Sequence, residues 1–357
     1  MAAQYGAITE NRSSRPYAGP PPAPTAEQPG MLGSDSSGAQ LDSMGVMSSR
    51  FLGPRYWPTW VGLGVLRLVE RLPFAALLAV GRCLGRVARH APLPYAAVAR
   101  RNIELCLPEL SDTEREALID RHFESLGIGL LESAMTWWSP DERINALSTV
   151  DGLEHLNAAL ARGRGAIILT AHFTTMQIGA RILNNRIPIN VLYRPLKNEL
   201  LAAVSGASFG RQARKAIQRD DVRAMISALK RNEIVWYATD QSYRNKGALM
   251  VPFFGHPAAT NVSTSRLAAI TGAAVLYYST ERLPGTQGWR ATIHPPFADW
   301  PGPDPVADTL RYHACIEAQV RRMPEQYWWI HRRFKGLTPD YPDYYGPRQR
   351  ITRQQNG

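Results

Sequence analysis

Gly163-Arg-Gly-Ala-Ile-Ile-Leu-Thr-Ala-His172 is the stretch from which the fold can be read. A glycine turn leads into Ala166-Ile-Ile-Leu, an apolar run with the length and flanks of a strand buried on both faces. His172 ends the run, and Phe-Thr-Thr-Met-Gln177 opens a helical pattern. Residues 234–239 (IVWYAT) and 273–280 (AAVLYYST) form two further runs, with helical patterns such as 221–230 between them. Strands alternating with helices predict an α/β fold, with a central, mostly parallel sheet flanked by helices. Open sheets of this class bind ligands at the carboxyl ends of their strands, where His172 falls. An imidazole there can take a proton from a hydroxyl at neutral pH.

Outward from this centre, Ser111-Asp-Thr-Glu114 reads as a capping box. It opens a helix whose apolar face carries Leu118, Ile119, His122, Phe123, Leu126 and Leu130. Val306, Leu310, His313, Ile316, Val320 and Met323 mark a late amphipathic helix. His122 and His313 lie within these apolar stripes and are expected to be core histidines.

Towards the N-terminus, residues 56–66 and 72–81 are uncharged runs of 11 and 10, separated by Arg67, Glu70 and Arg71. Neither reaches the roughly 20 residues that cross a bilayer core. They are expected to form an apolar helical segment lying in the membrane interface, with Trp57, Trp60 and Arg67 at headgroup level. The alternative is a hairpin of buried helices. Residues 1–50 hold 20 Gly, Pro and Ser and no apolar periodicity, a composition that predicts disorder.

The 357 residues carry 41 Lys+Arg against 30 Asp+Glu, a formal net charge of +11. The first 50 hold three Arg against four acids, which leaves the other 307 at +12. Such a surface attracts nucleic acid, an anionic membrane or an acidic protein. The basic groups cluster at Arg100-Arg101, in a loop-like run of Arg211, Arg214, Lys215 and Arg219, and in His331-Arg-Arg-Phe-Lys335 after Tyr327-Trp-Trp329. The three cysteines are far apart, so a disulfide framework is not expected.

From PRYWPTW (54–60) onward the chain resembles the late acyltransferases of lipid A biosynthesis, the lauroyl and myristoyl transferase family of the lysophospholipid acyltransferase-like superfamily. The resemblance runs through RNIELCLPELSDTER, HFESLGIGLLES, TAHFTTMQIGAR, VLYRP, EIVWYATDQSY and VPFFG to PEQYWWIHRRFK. It implies an enzyme on the cytoplasmic face of the bacterial inner membrane. Such an enzyme takes a fatty acyl chain from acyl carrier protein and passes it to a hydroxyl of a lipid A precursor. The family motif is His-x4-Asp/Glu, a base and the acid that orients it. His172 matches the base, but position 177 is Gln, which supplies no counter-charge to an imidazolium; Gln177 stays a catalytic candidate as a neutral partner whose carbonyl can accept from His172. The resemblance also carries over Arg211 and Asp240 as catalytic positions and Arg194 as a phosphate-side basic residue, and Asp240 is expected to replace the missing charge. Arg332 and Arg333 are expected to bind the acidic headgroup.

The resulting organisation is a tail over 1–50, a membrane-associating segment over 51–90, an acyltransferase domain over 91–345 and a second tail over 346–357. Acyl carrier protein, a lipid A precursor and an anionic membrane surface are the expected partners, and nucleic acid is not. No metal or cofactor is expected, because no cluster has ligand spacing and GRG at 163–165 lacks the lysine of a phosphate loop. No Ser or Cys occupies a nucleophile elbow, which favours direct transfer over an acyl-enzyme. Two alternatives follow from Gln177: transfer to another glycolipid or lysolipid acceptor, or a catalytically impaired lipid-binding homologue.

Overall fold

The computed structural model describes residues 49–346, apart from 195, 196, 213 and 246. The two expected tails thus fall almost wholly outside the described residues. The described chain begins with α1 (Trp57–Val69), α2 (Phe74–Arg89), α3 (Tyr95–Cys106), α4 (Asp112–Trp138) and α5 (Asp141–Ala146). The Ser111 side chain accepts from the Glu114 N–H at the head of α4, and the Glu114 carboxylate accepts from the Ser111 N–H. That is the expected capping box.

Strand β1 (Ser148–Asp151) then leads through α6 (Leu153–Ala161) to β2 (Ala166–Thr170), every residue of which is buried. The alternation continues with α7 (Met176–Asn184), β3 (Ile189–Tyr193), α8 (Glu199–Gln212), β4 (Lys215–Gln218), α9 (Val222–Lys230) and β5 (Ile234–Ala238). After the antiparallel hairpin β6 (Ala248–Phe253) and β7 (His256–Asn261) come α10 (Ser263–Thr271), β8 (Ala274–Arg282), β9 (Trp289–Ile293) and α11 (Pro305–Arg322). Seven strands form one sheet in the order β1-β9-β8-β2-β5-β3-β4, parallel except for the β8–β9 pair. The expected α/β architecture is therefore the observed one. Apolar clusters cover both faces: Ile167, Leu169 and Val235 pack on one side, Ile168, Trp236 and Leu276 on the other.

Two expectations are corrected. The basic run around 211–219 is not a loop: Arg211 lies in α8, and Lys215–Gln218 pairs with β3 as the sheet's edge strand. With Ile217 as its one buried residue, β4 shows too little apolar alternation to be recognised in the sequence. The segment over 51–90 is likewise not one uniform apolar element. Its second half, α2, buries Phe74, Leu77, Leu78, Gly81 and Gly85 against α4. A Cβ at Gly81 would lie 2.7 Å from the Ile128 Cα, and one at Gly85 2.0 Å from the Phe123 carbonyl oxygen. The two backbones cross too closely for any side chain there. By contrast, α1 exposes Trp57, Val61, Val65 and Leu68 along one face. No helix among the described residues is long and apolar enough to cross a membrane.

Candidate active site

β2 and β5 are parallel neighbours, with Thr170 opposite Ala238. Positions two residues further on, 172 and 240, therefore leave the sheet side by side. The His172 Nδ1–H donates to Asp240 Oδ1 at 2.6 Å, and the His172 backbone N–H donates to Oδ2 at 3.0 Å. The Tyr327 hydroxyl donates to the same Oδ2 at 3.3 Å. Burial alone would raise the Asp240 pKa. The His172 charge and hydrogen bonds, helped by the Arg333 charge, outweigh it and bring the carboxyl down to about 2. Asp240 is thus a fixed anion that holds the proton of His172 on Nδ1. In the neutral ring Nε2 then keeps the lone pair, and it has no hydrogen-bond partner among the described residues, which is the arrangement a general base requires.

The loop carrying His172 is held from two sides. Trp328 N–H donates to the His172 carbonyl at 2.9 Å, and Thr174 N–H to the Gln326 carbonyl at 2.7 Å, so the PEQYWW segment forms one wall. From below, Arg282 makes a two-pronged pair with the fully buried Glu132, both contacts at 2.6 Å, and donates to Ser125, which hydrogen-bonds Thr174. Trp289 Nε1–H also donates to Glu132. These contacts link α4, β8 and β9 to the turn that presents the imidazole.

His172, Asp240, Asn102, Tyr327, His331 and Arg333 line a tight cavity at this end of the sheet. Beside it opens a larger cleft of about 540 Å³ with Arg194, Arg219, Arg244 and Lys335 in its walls against Asp220. His331 lines both spaces. The cleft presents an excess of positive charge to any group entering it.

The structure brings together His172 and Asp240 and sets Arg194 in the adjoining basic cleft. Gln177 lies in the first turn of α7, exposed and without the expected hydrogen bond to His172 among the described residues. Arg332 stacks over the Tyr345 ring at 5.6 Å, away from both cavities' linings. Arg333 is buried, with its guanidinium on the Ala259 carbonyl and the Thr260 hydroxyl. The Arg211 side chain lies outside the described residues. His122 and His313 are buried, and burial brings each down to about 4, so both are neutral at pH 7. Tyr327 and His331 were not singled out by the sequence. Both lie in the motif PEQYWWIHRRFK, whose aromatic and basic content reads as surface contact and carries no spacing that marks a site.

The sequence model of the bacterial lipid A biosynthesis acyltransferases matches residues 46–336. A lipid A biosynthesis lauroyltransferase of Escherichia coli (strain K12) is 36% identical over 299 residues, covering 84% of this chain and 98% of that protein. A lipid A biosynthesis palmitoleoyltransferase of the same organism is 38% identical over 289 residues, covering 81% and 94%. A lipid A biosynthesis acyltransferase of Haemophilus influenzae is 33% identical over 289 residues, covering 80% and 92%.

Proposed function

This chain belongs to the bacterial lipid A biosynthesis acyltransferase family, and from that premise we propose that it performs a late acylation of a lipid A precursor with acyl carrier protein as donor. The observation that carries the reading is the His172–Asp240 pair at the ends of two adjacent parallel strands. His172 Nε2 takes the proton of the acceptor hydroxyl as its oxygen attacks the thioester carbonyl carbon. The carbonyl electron pair moves onto oxygen, returns as the carbon–sulfur bond breaks, and the departing thiolate receives the proton from Nε2. Asp240 remains ionised throughout and stabilises the transient imidazolium. A carboxylate at 240 does the work that position 177 leaves undone, which favours a working enzyme over an impaired homologue.

The basic cleft of Arg194, Arg219 and Arg244 suits an acceptor bearing phosphate. The exposed face of α1, with Trp57, Val61, Val65 and Leu68, suits attachment in the interface of an anionic membrane at the inner face of the inner membrane. Purified protein given acyl carrier protein loaded with a fatty acid and a phosphorylated lipid A precursor is expected to yield a product heavier by one acyl group in mass spectrometry. His172→Ala is expected to abolish that product. An unchanged lipid A acylation pattern in a strain lacking the protein would overturn the assignment.

A further inference from the structure

The loop after β5 fixes two imidazoles, not one. Asp240 takes the Nδ1–H of His172. Two residues on, the Ser242 backbone N–H donates to His331 Nε2 at 3.0 Å. A backbone N–H can only donate, so His331 Nε2 must be the acceptor, and a neutral His331 carries its proton on Nδ1. That Nδ1–H has no acceptor among the described residues. The two rings are therefore set in opposite senses by one three-residue loop: His172 offers a lone pair, and His331 offers a hydrogen.

The surroundings keep His331 in that state. Burial, helped by the charges of His172, Arg333 and Lys335, outweighs the opposing pull of Asp240 and lowers its pKa to about 4. A ring that resists protonation neither consumes the proton meant for His172 nor competes for Asp240. It remains a donor of ordinary strength across the neutral range, and a neutral imidazole held so is an effective electrophile beside a developing negative charge. His331 also stands where the tight cavity with His172 and the open basic cleft share a wall, the point at which donor thioester and acceptor headgroup must meet. Its backbone is anchored separately, because Asn102 Nδ2 donates to the His331 carbonyl at 2.7 Å and to the Trp329 carbonyl at 2.6 Å.

Resting on the acyl-transfer reading above, we propose that His331 is a second catalytic histidine, whose Nδ1–H donates to the oxyanion formed when the thioester carbonyl is attacked. No proton is transferred by it. The hydrogen bond strengthens as charge builds on the carbonyl oxygen and relaxes when the carbon–sulfur bond breaks, so its effect falls on kcat.

Two amide replacements separate this role from a structural one. Asparagine places an N–H near the Nδ1 position and has nothing at Nε2; glutamine places its carbonyl near Nε2, where it can still accept from Ser242, and has nothing at Nδ1. Steady-state transfer is measured for the parent, His331→Ala, His331→Asn and His331→Gln, with thermal unfolding of each. Removal of one oxyanion donor typically costs about 10²–10³ in rate. His331→Ala and His331→Gln are expected to lose kcat on that scale with KM within about threefold. His331→Asn is expected to recover at least tenfold of that loss. Activity kept by Gln and lost by Asn would show that the ring only braces the loop, and would overturn the proposal. A rise in acceptor KM with kcat unchanged would place the ring on the headgroup and overturn it as well. Absence of transfer by the parent would instead sink the acyl-transfer reading itself.

Discussion

The loop after β5 and the first turn of α7 both leave the sheet beside His172, but the ring's hydrogen bond goes to the first. Asp240 is buried, ionised and bonded to both the ring and the backbone N–H of His172, while Gln177 faces outward. The contrast follows from geometry. A residue five positions after the histidine reaches back only if the intervening turn aims it inward. A residue at the same height on the neighbouring parallel strand arrives beside the histidine by register alone. Counter-charge to the base is thus a property of the sheet, not of the local motif.

The sharpest way to break that contrast is Asp240→Asn. The amide fills the same volume but removes the ionised partner of the imidazole and permits the wrong tautomer. An equivalent change in the serine-protease triad costs roughly 10⁴ in rate. A loss of at least about 10³ in kcat is expected here on the same grounds, measured by single-turnover acyl transfer. Retained activity would return the role to some other group.

A second test uses buried groups that lack such a partner. Asp240 is held anionic to about 2, whereas His122, His313 and His331 are held neutral to about 4 by burial. Between pH 6.5 and 4 the unfolded chain binds protons at these histidines and the folded chain does not. Stability therefore rises with pH across that window and is lost as the pH falls through it. Asp240 adds its own loss only below about pH 4, as its carboxyl begins to protonate in the unfolded chain. The melting temperature is expected to fall steadily from pH 6.5 to 4, with a further drop below pH 4. A flat profile from 6.5 to 4 would show that these rings are hydrated or paired.

The strand, its terminal histidine and the α/β class were legible because β2, β5 and β8 are buried on both faces and read as continuous apolar runs. His172 stood out as a polar residue at the end of such a run, whereas Asp240 entered only through the family resemblance. Their pairing was an expectation that required β2 and β5 to be neighbours, a fact of strand order that no local pattern encodes. α1 and α2 show the same limit in another form. Each begins in an uncharged run of similar length, yet α2 buries one face because its glycines let α4 approach, while α1 leaves one face exposed. The tautomer of His331 was the least legible feature, since it depends on a backbone N–H 89 positions away.

Tyr327 tests how far the advantage of position 240 depends on its surroundings. Its hydroxyl is the third group on the Asp240 carboxylate, at a longer 3.3 Å, and it reports on orientation more than on charge. Tyr327→Phe removes that bond and keeps the ring packed against Phe173. A hydrogen bond of this kind contributes about 0.5–1.5 kcal/mol net, so a three- to tenfold fall in kcat is expected, with KM unchanged.

The smallest effect belongs to Gln177, and it decides the comparison. If counter-charge were supplied locally, Gln177→Glu would restore a missing acid and raise the rate by orders of magnitude. With Asp240 already on Nδ1, a carboxylate on the exposed side of α7 meets water and has no ring nitrogen left to engage. Its influence on His172 is then that of a solvated charge, screened to a fraction of a kcal/mol. Gln177→Glu and Gln177→Ala are both expected to stay within about threefold of the parent in kcat, on the same screening argument. A large gain from Glu that persists in the Asp240→Asn background would show that α7 swings inward when substrate binds, and would move the orienting acid back to position 177.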